Sequence, residues 1–430
     1  MHLFYQPPLI LWRWFYRLGS TTRNSTWAFI LALSLFQVQF TTCYDFKLGL
    51  LIPWNSTDYD SYPFLGTRSF GAAVLAAEQI SASGLLGGNN SSHTVDLVVA
   101  DTACRSIAAG GHAVELMDET VDAFIGPPCS MPCATVADLT SYWQVPMSSW
   151  FCAAMADGES EDPFDVHPTL ARTYPTIFQI AHTIPTTLEL FDWNIYSIIY
   201  PLDGLMGDIA YRTRMLMDKR GHPPAHMESY QKPLDLSVAR NILKNVQKVS
   251  TSKFKQSSIS FIRYSHNQVI FLLVGGKTML DGDQQTFLLA ARQLGMTGED
   301  GHVFIVIEPF PDPSFTSPWQ PLLSPHANET VEGDVTAEEA LTEAYRAVLM
   351  ITMSLPDDGR LDDLMSDVTD IMMQPPYNVE FPKPSIMSAY LYDAIQLYAH
   401  AVNVSLATKD PPLDGAVLGR LMQGNVSFQG

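Results

Sequence analysis

Two cysteines four residues apart are the first residues in this sequence whose types and spacing suggest chemistry. Cys129 and Cys133 lie in the segment "FIGPPCSMPC", residues 124–133. Such a pair could bind a metal ion, act as a redox pair, or supply one end each to two disulfides. A metal ion would need two further ligands, and the other cysteines after the first 43 residues, Cys104 and Cys152, have no histidine nearby in the sequence. The compartment in which the chain folds therefore has to be considered next.

The beginning of the chain indicates export. Residues 1–42 contain three arginines and no acidic residue, with the apolar run "WAFILALSLFQVQF" after the arginines and small residues after that run. Basic, apolar and small residues in this order are typical of a secretory signal. The run is shorter than the ~20 residues that span a bilayer. Residues 1–43 are therefore predicted to be a signal peptide, with an uncleaved signal-anchor as the alternative.

Glycosylation sequons give independent support for export. Acceptors of the form Asn-x-Ser/Thr occur outside the leader at Asn55, Asn89, Asn90, Asn328, Asn403 and Asn425. Such acceptors matter only in the secretory pathway. In that oxidising compartment, disulfides are the favoured interpretation of Cys129 and Cys133.

The net charge restricts the class of partner. The chain has 45 acidic and 25 basic residues, which gives a formal net charge of −20. This charge disfavours a nucleic-acid partner, because the phosphate backbone would be repelled. It would attract a basic peptide, although like charge also keeps an extracellular protein dispersed.

Motifs for catalysis fail on spacing. "VGGKT" at residues 274–278 ends like a phosphate-binding loop, but the glycine required five residues before Gly276 is Phe271. His222 and His226 are separated by two prolines that prevent a helical turn, and are predicted to lie in a loop. The sequence contains no G-x-S-x-G or H-E-x-x-H motif. We therefore predict no catalytic residue, no metal site and no cofactor, so that this chain is not itself an enzyme.

The elements that must position the cysteines alternate between strands and helices. "DFKLGLLIP" is typical of a buried strand, and the next segment places Phe70, Ala73, Val74, Ala77 and Ile80 on one helical face. The alternation continues through "TVDLVVA", "VDAFIGP" and "VPMSSW" with helices between them. Continuous apolar strands that alternate with helices predict an α/β fold with a parallel sheet covered on both faces.

The same alternation resumes in the second half of the chain. The segments "NIYSIIYPL", "QVIFLLVGG" and "HVFIVIEPF" predict strands, and residues 385–403 predict a helix. A chain of this length usually divides into two compact lobes. The predicted divisions are residues 1–43 as leader, 44–175 as the first part of lobe 1, 176–378 as lobe 2, and 379–430 as a return to lobe 1.

An ordered set of motifs resembles a known family. It comprises "YPF" at 62–64, Cys104, "FIGPPC", "YWQVPM" at 142–147, "SAYLYDAIQLYAHAV" at 388–402 and "GNVSFQG" at 424–430. Together these motifs resemble the extracellular ligand-binding region of receptor guanylate cyclases and natriuretic peptide receptors, over residues 46–430. The resemblance implies a type I periplasmic-binding-protein-like fold with two α/β lobes.

The resemblance also implies a role. Such regions bind an extracellular ligand at the plasma membrane as homodimers, and a peptide is expected here rather than a small molecule. The cyclase that makes cyclic GMP would belong to a longer, single-span parent, since the chain stops at "SFQG" and is expected to be a fragment; any membrane contact would come through parts beyond it. The alternatives are another receptor of the same fold, such as a class C or clearance receptor, and a secreted binding protein.

Two disulfides are predicted on different grounds. The resemblance implies the loop-closing bridge between Cys104 and Cys129, which also follow neighbouring parallel strands. The family does not supply a second pair. Cys133 and Cys152 are predicted to pair because the same sheet edge brings them close together.

The ligand crevice and the dimer face are predicted from the fold and the resemblance. Ligands of open α/β sheets bind at the carboxyl ends of the strands. The residues expected there are Trp54, Ser130, Ser149, Trp150 and Tyr200, of which Ser130 could equally cap the helix that begins near Cys133. The family pairs through helices of the first lobe, where Met117 and Leu139 are the candidate dimer-face residues.

Overall fold

A five-stranded parallel sheet forms the first half of the framework. The computed structural model describes residues 44–54, 64–86, 93–155, 166–254, 269–276, 282–298, 302–311, 318–320, 336–407 and 414–424. The strands of the first sheet are β1 (Asp45–Ile52), β2 (Thr94–Asp101), β3 (Ala123–Ile125), β4 (Met147–Ser149) and β5 (Leu170–Arg172). Their order is β2-β1-β3-β4-β5, and every neighbouring pair is parallel. The predicted parallel sheet is confirmed.

Helices cover this sheet through their apolar faces. They are α1 (Gly66–Ser83), α2 (Ser106–Asp118) and α3 (Ser130–Trp143). On α1, four of the five residues predicted to share a face are buried, and Val74 is half-buried. The helix ends at Gly84, whose φ of 67° is the left-handed conformation that glycine adopts without strain.

A second parallel sheet follows. Its strands are β6 (Tyr196–Pro201), β7 (His226–Tyr230), β8 (Val269–Leu272), β9 (Val303–Glu308) and β10 (Val348–Thr352), in the order β10-β9-β8-β6-β7. Its helices are α4 (Ile177–Leu190), α5 (Leu205–Lys219), α6 (Leu236–Phe254), α7 (Asp283–Gln293) and α8 (Ala337–Tyr345). The three apolar segments in this half predicted β6, β8 and β9. The sequence analysis did not predict the two edge strands: β7 has the polar sequence "HMESY", and β10 was missed although "VLMIT" is apolar.

The chain then returns to the first sheet. Three helices follow β10, namely α9 (Arg360–Met373), α10 (Ile386–Ala407) and α11 (Gly415–Gln423). Both α9 and α10 pack against α1, and α11 packs beside β5. Gly71 of α1 lies so close to α9 that a Cβ there would be 2.9 Å from the Val368 carbonyl oxygen. Contact with the helices of the first sheet thus already occurs at α9, ahead of residue 379.

Both sheets contribute to one buried apolar cluster. Leu50 of β1 and Phe271 of β8 both belong to it, and neither side chain is exposed. Burial of such side chains is the main favourable contribution to folding. Within the part of the chain described here, no helix is both long enough and apolar enough to cross a bilayer.

Gly126 is a position where the fold requires glycine. Its φ is +78°, and a Cβ there would lie 2.5 Å from both the Leu51 carbonyl oxygen and the Trp150 ring. We expect Gly126→Ala to lower the free energy of unfolding by about 2–4 kcal/mol, through backbone strain and overpacking.

Gly111→Ala is the matched control, measured by urea unfolding of both variants. Gly111 lies in α2, where an added Cβ would meet no atom within 4 Å. Alanine should leave stability unchanged or raise it by up to about 1 kcal/mol. Equal losses in the two variants would contradict the packing described around Gly126.

Candidate ligand-binding site

Two disulfides fix the loops at the carboxyl edge of the first sheet. Cys104 is bonded to Cys129 and Cys133 to Cys152, with Cα atoms 5.6 and 5.9 Å apart. Cys104 follows β2 and Cys129 follows β3, and these strands are not neighbours as predicted, because β1 lies between them. Cys133 lies in α3, and Cys152 follows β4. Both predicted pairs are therefore present in the structure, and the loops that would border a crevice are tied to one another.

Three of the predicted crevice residues, Ser130, Ser149 and Trp150, lie near these disulfides. Ser149 and Trp150 are buried. The Ser149 hydroxyl donates a 2.9 Å hydrogen bond to the Pro127 carbonyl oxygen, and the Trp150 ring packs against Gly126. Neither side chain is exposed. The expectation that Ser149 and Trp150 face a crevice is therefore corrected: the close approach of the β3 and β4 loops encloses both side chains.

Ser130 has a local structural role. It is the first residue of α3, whose N-cap is Cys129, and so it does not cap the helix. Its Oγ accepts a 3.0 Å hydrogen bond from the backbone N–H of Ala154. This bond connects the start of α3 to the loop after β4.

The remaining two crevice candidates are half-buried. The Trp54 ring meets Phe70 of α1 edge to face at 5.3 Å, and its backbone N–H donates to Asp101 Oδ1 at 2.9 Å. Tyr200, near the end of β6, packs against the apolar cluster. Trp54 and Tyr200 thus keep partly accessible rings at the carboxyl ends of a strand in each sheet.

An aromatic junction connects the two sheets at these carboxyl ends. We use this name for Phe151, Tyr174, Phe310 and Tyr390. The Tyr174 ring centroid lies 4.8 Å from that of Phe151, 6.0 Å from that of Phe310 and 5.3 Å from that of Tyr390. The Tyr174 hydroxyl donates a 2.9 Å hydrogen bond to the Pro309 carbonyl oxygen. Burial raises the pKa of Tyr174 well above its ordinary value, so this donor keeps its proton.

The sequence did not reveal the polar residues at the edge of the second sheet. Asp283, the first residue of α7, is buried and accepts a 2.6 Å hydrogen bond from the Tyr230 hydroxyl. Lys232 Nζ lies 3.7 Å from the same carboxylate. Glu308, which ends β9, is also buried. An acidic residue directly after an apolar strand, as in "FIVIE", was the available signal.

Metal ligation finds no support in the part of the chain that is described. No three His, Cys, Asp or Glu side chains there are grouped so that they could hold an ion. His226 lies in β7 and not in a loop as predicted, and its Nε2 is 2.8 Å from Glu228 Oε2. The prolines before it prevent a helix there, and His226 is the first residue of the edge strand β7.

The predicted dimer-face residues are partly covered by the protein itself. Met117 of α2 and Leu139 of α3 are half-buried and pack against the core cluster beneath these helices. Exposed apolar side chains on the same two helices are Ile107, Val114, Met131 and Tyr142. Because Met117 and Leu139 keep partial exposure, their place in a dimer face stays a prediction.

The leader and most of the glycosylation sequons lie outside the described residues. This applies to residues 1–43 and to Asn55, Asn89, Asn90, Asn328 and Asn425. Asn403 lies within α10 and is half-buried. Its modification stays a prediction like that of the other sequons.

Comparison with known proteins identifies the family of this chain. Residues 68–430 match the family described as the receptor family ligand binding region. The chain belongs to this family. The predicted resemblance is therefore confirmed, and the loops bordered by the two disulfides are part of a receptor's ligand-binding region.

Relatives of this receptor region share its sequence at low identity. A receptor-type guanylate cyclase of Caenorhabditis elegans is 25% identical over 402 residues, which cover 89% of this chain and 34% of the relative. Atrial natriuretic peptide receptor 2 of Homo sapiens is 26% identical over 333 residues, which cover 75% of this chain and 28% of the relative. The chain thus spans only about a third of the length of these relatives.

A solved structure confirms the fold of the receptor region. A chain from Rhodospirillum rubrum, assigned to a branched-chain amino acid ABC transporter, superposes with a TM-score of 0.60 at 14% identity. The match covers 90% of this chain and 91% of the other. The two-lobed, type I periplasmic-binding-protein-like α/β fold is therefore shown, and the comparison says nothing further about the ligand.

Peptide mapping of the unreduced protein tests the two disulfides. We expect one pair of linked peptides to contain Cys104 and Cys129, and a second to contain Cys133 and Cys152. Replacing Cys133 and Cys152 together by alanine should lower the free energy of unfolding by about 3 kcal/mol, because the unfolded chain gains loop entropy. A peptide linking Cys129 to Cys133 would contradict the arrangement.

The contribution of the aromatic junction is measurable with Tyr174→Phe. We expect the free energy of unfolding to fall by about 1–3 kcal/mol, because the buried Pro309 carbonyl loses its donor. Tyr211→Phe is the control, since Tyr211 is 60% exposed and a surface change should stay within about 0.5 kcal/mol. Equal effects in urea unfolding would show that the hydroxyl of Tyr174 does not stabilise the junction.

Proposed function

We propose that this chain is the extracellular ligand-binding region of a receptor guanylate cyclase. The observation that carries the proposal is the family match over residues 68–430, together with receptor-type guanylate cyclases among the relatives. The parent protein would cross the plasma membrane once and make cyclic GMP when a ligand binds outside. The chain itself would contribute recognition and no catalysis.

The proposed ligand is a peptide that reaches the crevice between the two sheets. The name of one relative, atrial natriuretic peptide receptor 2, supports a peptide. The net charge of −20 would favour a basic one by electrostatic steering. Trp54, Ser130 and Tyr200 remain the proposed contacts, and Asp283 and Glu308 add negative charge on the second sheet.

Processing and location follow from the same proposal. Residues 1–43 would direct export and be removed. The sequons at Asn55, Asn89, Asn90, Asn328, Asn403 and Asn425 would carry glycans, and of these Asn403 is half-buried within α10. The lobe divisions proposed from the sequence remain, with the return to the first lobe moved forward to α9.

A homodimer would form through the outward faces of α2 and α3. Ile107 and Tyr142 are 84% and 85% exposed. Val114 lies two turns after Ile107 and is also exposed, and α2 and α3 pack side by side. Exposed apolar side chains grouped on two adjacent helices favour a protein interface.

The dimer predicts a change of mass in solution. Replacing Ile107 and Val114 together by glutamate should convert a dimeric protein into a monomer, because two charges would then be desolvated in the interface. Phe381→Glu is the control, as Phe381 is 82% exposed but lies between α9 and α10. Light scattering would contradict this face if the double variant stayed dimeric, or if the control also dissociated.

The transcript beyond codon 430 tests the proposed parent. We expect it to encode one apolar span followed by kinase-like and cyclase segments. Seven spans would instead indicate a class C receptor, a short tail after one span a clearance receptor, and an early stop codon a secreted binding protein. Any of these three outcomes would overturn the proposed cyclase.

A further inference from the structure

A cavity separate from the predicted crevice lies between α1, α9 and α10. Its volume is about 540 Å³, and its lining includes none of Trp54, Ser130, Ser149, Trp150 or Tyr200. Cavities of ~300–1,000 Å³ are typical of small-molecule sites. The segment 354–356, which follows β10, closes one side. The cavity is thus lined both by the segment that follows the last strand of the second sheet and by helices that pack with the first sheet.

Apolar side chains form much of the wall. Leu75 comes from α1, Leu361 and Leu364 from α9, and Ile386 and Ala389 from α10. These side chains could enclose the apolar body of a ligand and exclude water from it. Apolar walls with a few placed polar groups are typical of sites that orient a small molecule.

One carboxylate in the cavity accepts no hydrogen bond from the described residues. Asp393 of α10 lines the cavity, and no donor within the described ranges forms a hydrogen bond with it. Burial raises the pKa of Asp393 to about 6, although the Arg360 guanidinium acts in the opposite direction. Arg360 itself is engaged by Asp358, with 2.7 Å between Nε and Oδ2. The ionised carboxylate is therefore costly to hold in this cavity.

The other charged and titratable groups around Asp393 leave the cavity negative. Asp363 and Asp367 line it from α9, where Arg360 is the cation in the wall. The two tyrosines on α10 already use their hydroxyls: Tyr390 contacts Met353 Sδ at 3.1 Å, and Tyr392 donates to Gln79 Oε1. Their rings remain in the wall, and the faces of aromatic rings attract cations.

We propose that this cavity binds a small organic amine. The protonated nitrogen would pair with the Asp393 carboxylate, and the apolar body would lie against Leu75, Leu361 and Leu364. A half-buried carboxylate is stabilised when a cation accompanies it. The inference rests on the cavity alone and does not depend on the proposed receptor role.

Calorimetry with phenethylamine and the purified full chain tests the proposal at pH 7.5. Phenethylamine combines a protonated amine with an apolar ring, and 2-phenylethanol is its uncharged counterpart. We expect phenethylamine to bind at least about tenfold more tightly than 2-phenylethanol, a factor that corresponds to one moderate ionic contact. Asp393→Asn should remove this preference, while Asp370→Asn, an exposed change on α9 outside the cavity, should leave it intact.

A second variant and the pH dependence make the test independent of one substitution. Ala389→Leu fills part of the cavity, keeps Asp393, and should abolish binding. Lowering the pH from 7.5 to 5 should weaken binding by about tenfold in the unchanged protein, because only the ionised fraction of Asp393 binds the cation. In Asp393→Asn this tenfold dependence of binding on pH should be absent. Equal binding of the amine and the alcohol, or unchanged amine binding in folded Asp393→Asn or Ala389→Leu, would overturn the proposal.

Discussion

The two sheets depend on the contact that Tyr174 makes between them. Its ring packs against Phe151, which follows β4, against Phe310, which follows β9, and against Tyr390 of α10. Its hydroxyl donates a hydrogen bond to the Pro309 carbonyl oxygen. Such ring pairs contribute about 0.5–1.5 kcal/mol each beyond their buried area. The hydrogen bond is strengthened by the low dielectric of a buried site. The junction therefore adds a specific buried contact to the apolar cluster that the two sheets share.

The two carboxyl edges beside the junction differ in chemistry. The first is held by two disulfides and by Gly126, which allows Trp150 to pack against the backbone. The second presents buried polar groups, with Asp283 bonded to Tyr230 and Glu308 at the end of β9. A rigid edge opposite a polar, acidic edge is suited to recognition, because one side fixes geometry and the other supplies directional contacts.

The sequence predicted most strands with apolar runs, including the edge strand β2, but missed β7 and β10 at the edges of the second sheet. β1, β6, β8 and β9 were evident from composition, whereas β7 contains the polar segment "HMESY" and is held by pairing with β6. The disulfide pairs were predictable because strand order places the cysteines on one edge. The exposure of individual side chains was not predictable from the sequence. Ser149 and Trp150 lie at a strand end, but long-range packing buries them. Only the fold distinguishes Asp393 from the other acidic residues on helices.

The central claim is that this chain senses an extracellular ligand for a guanylate cyclase. The most direct measurement is cyclic GMP in cells that express the full-length transcript, as peptide fractions from the same organism are applied outside. The account predicts that at least one fraction raises cyclic GMP in these cells and not in cells that lack the protein. Folded protein at the cell surface that leaves cyclic GMP unchanged with every fraction would contradict it.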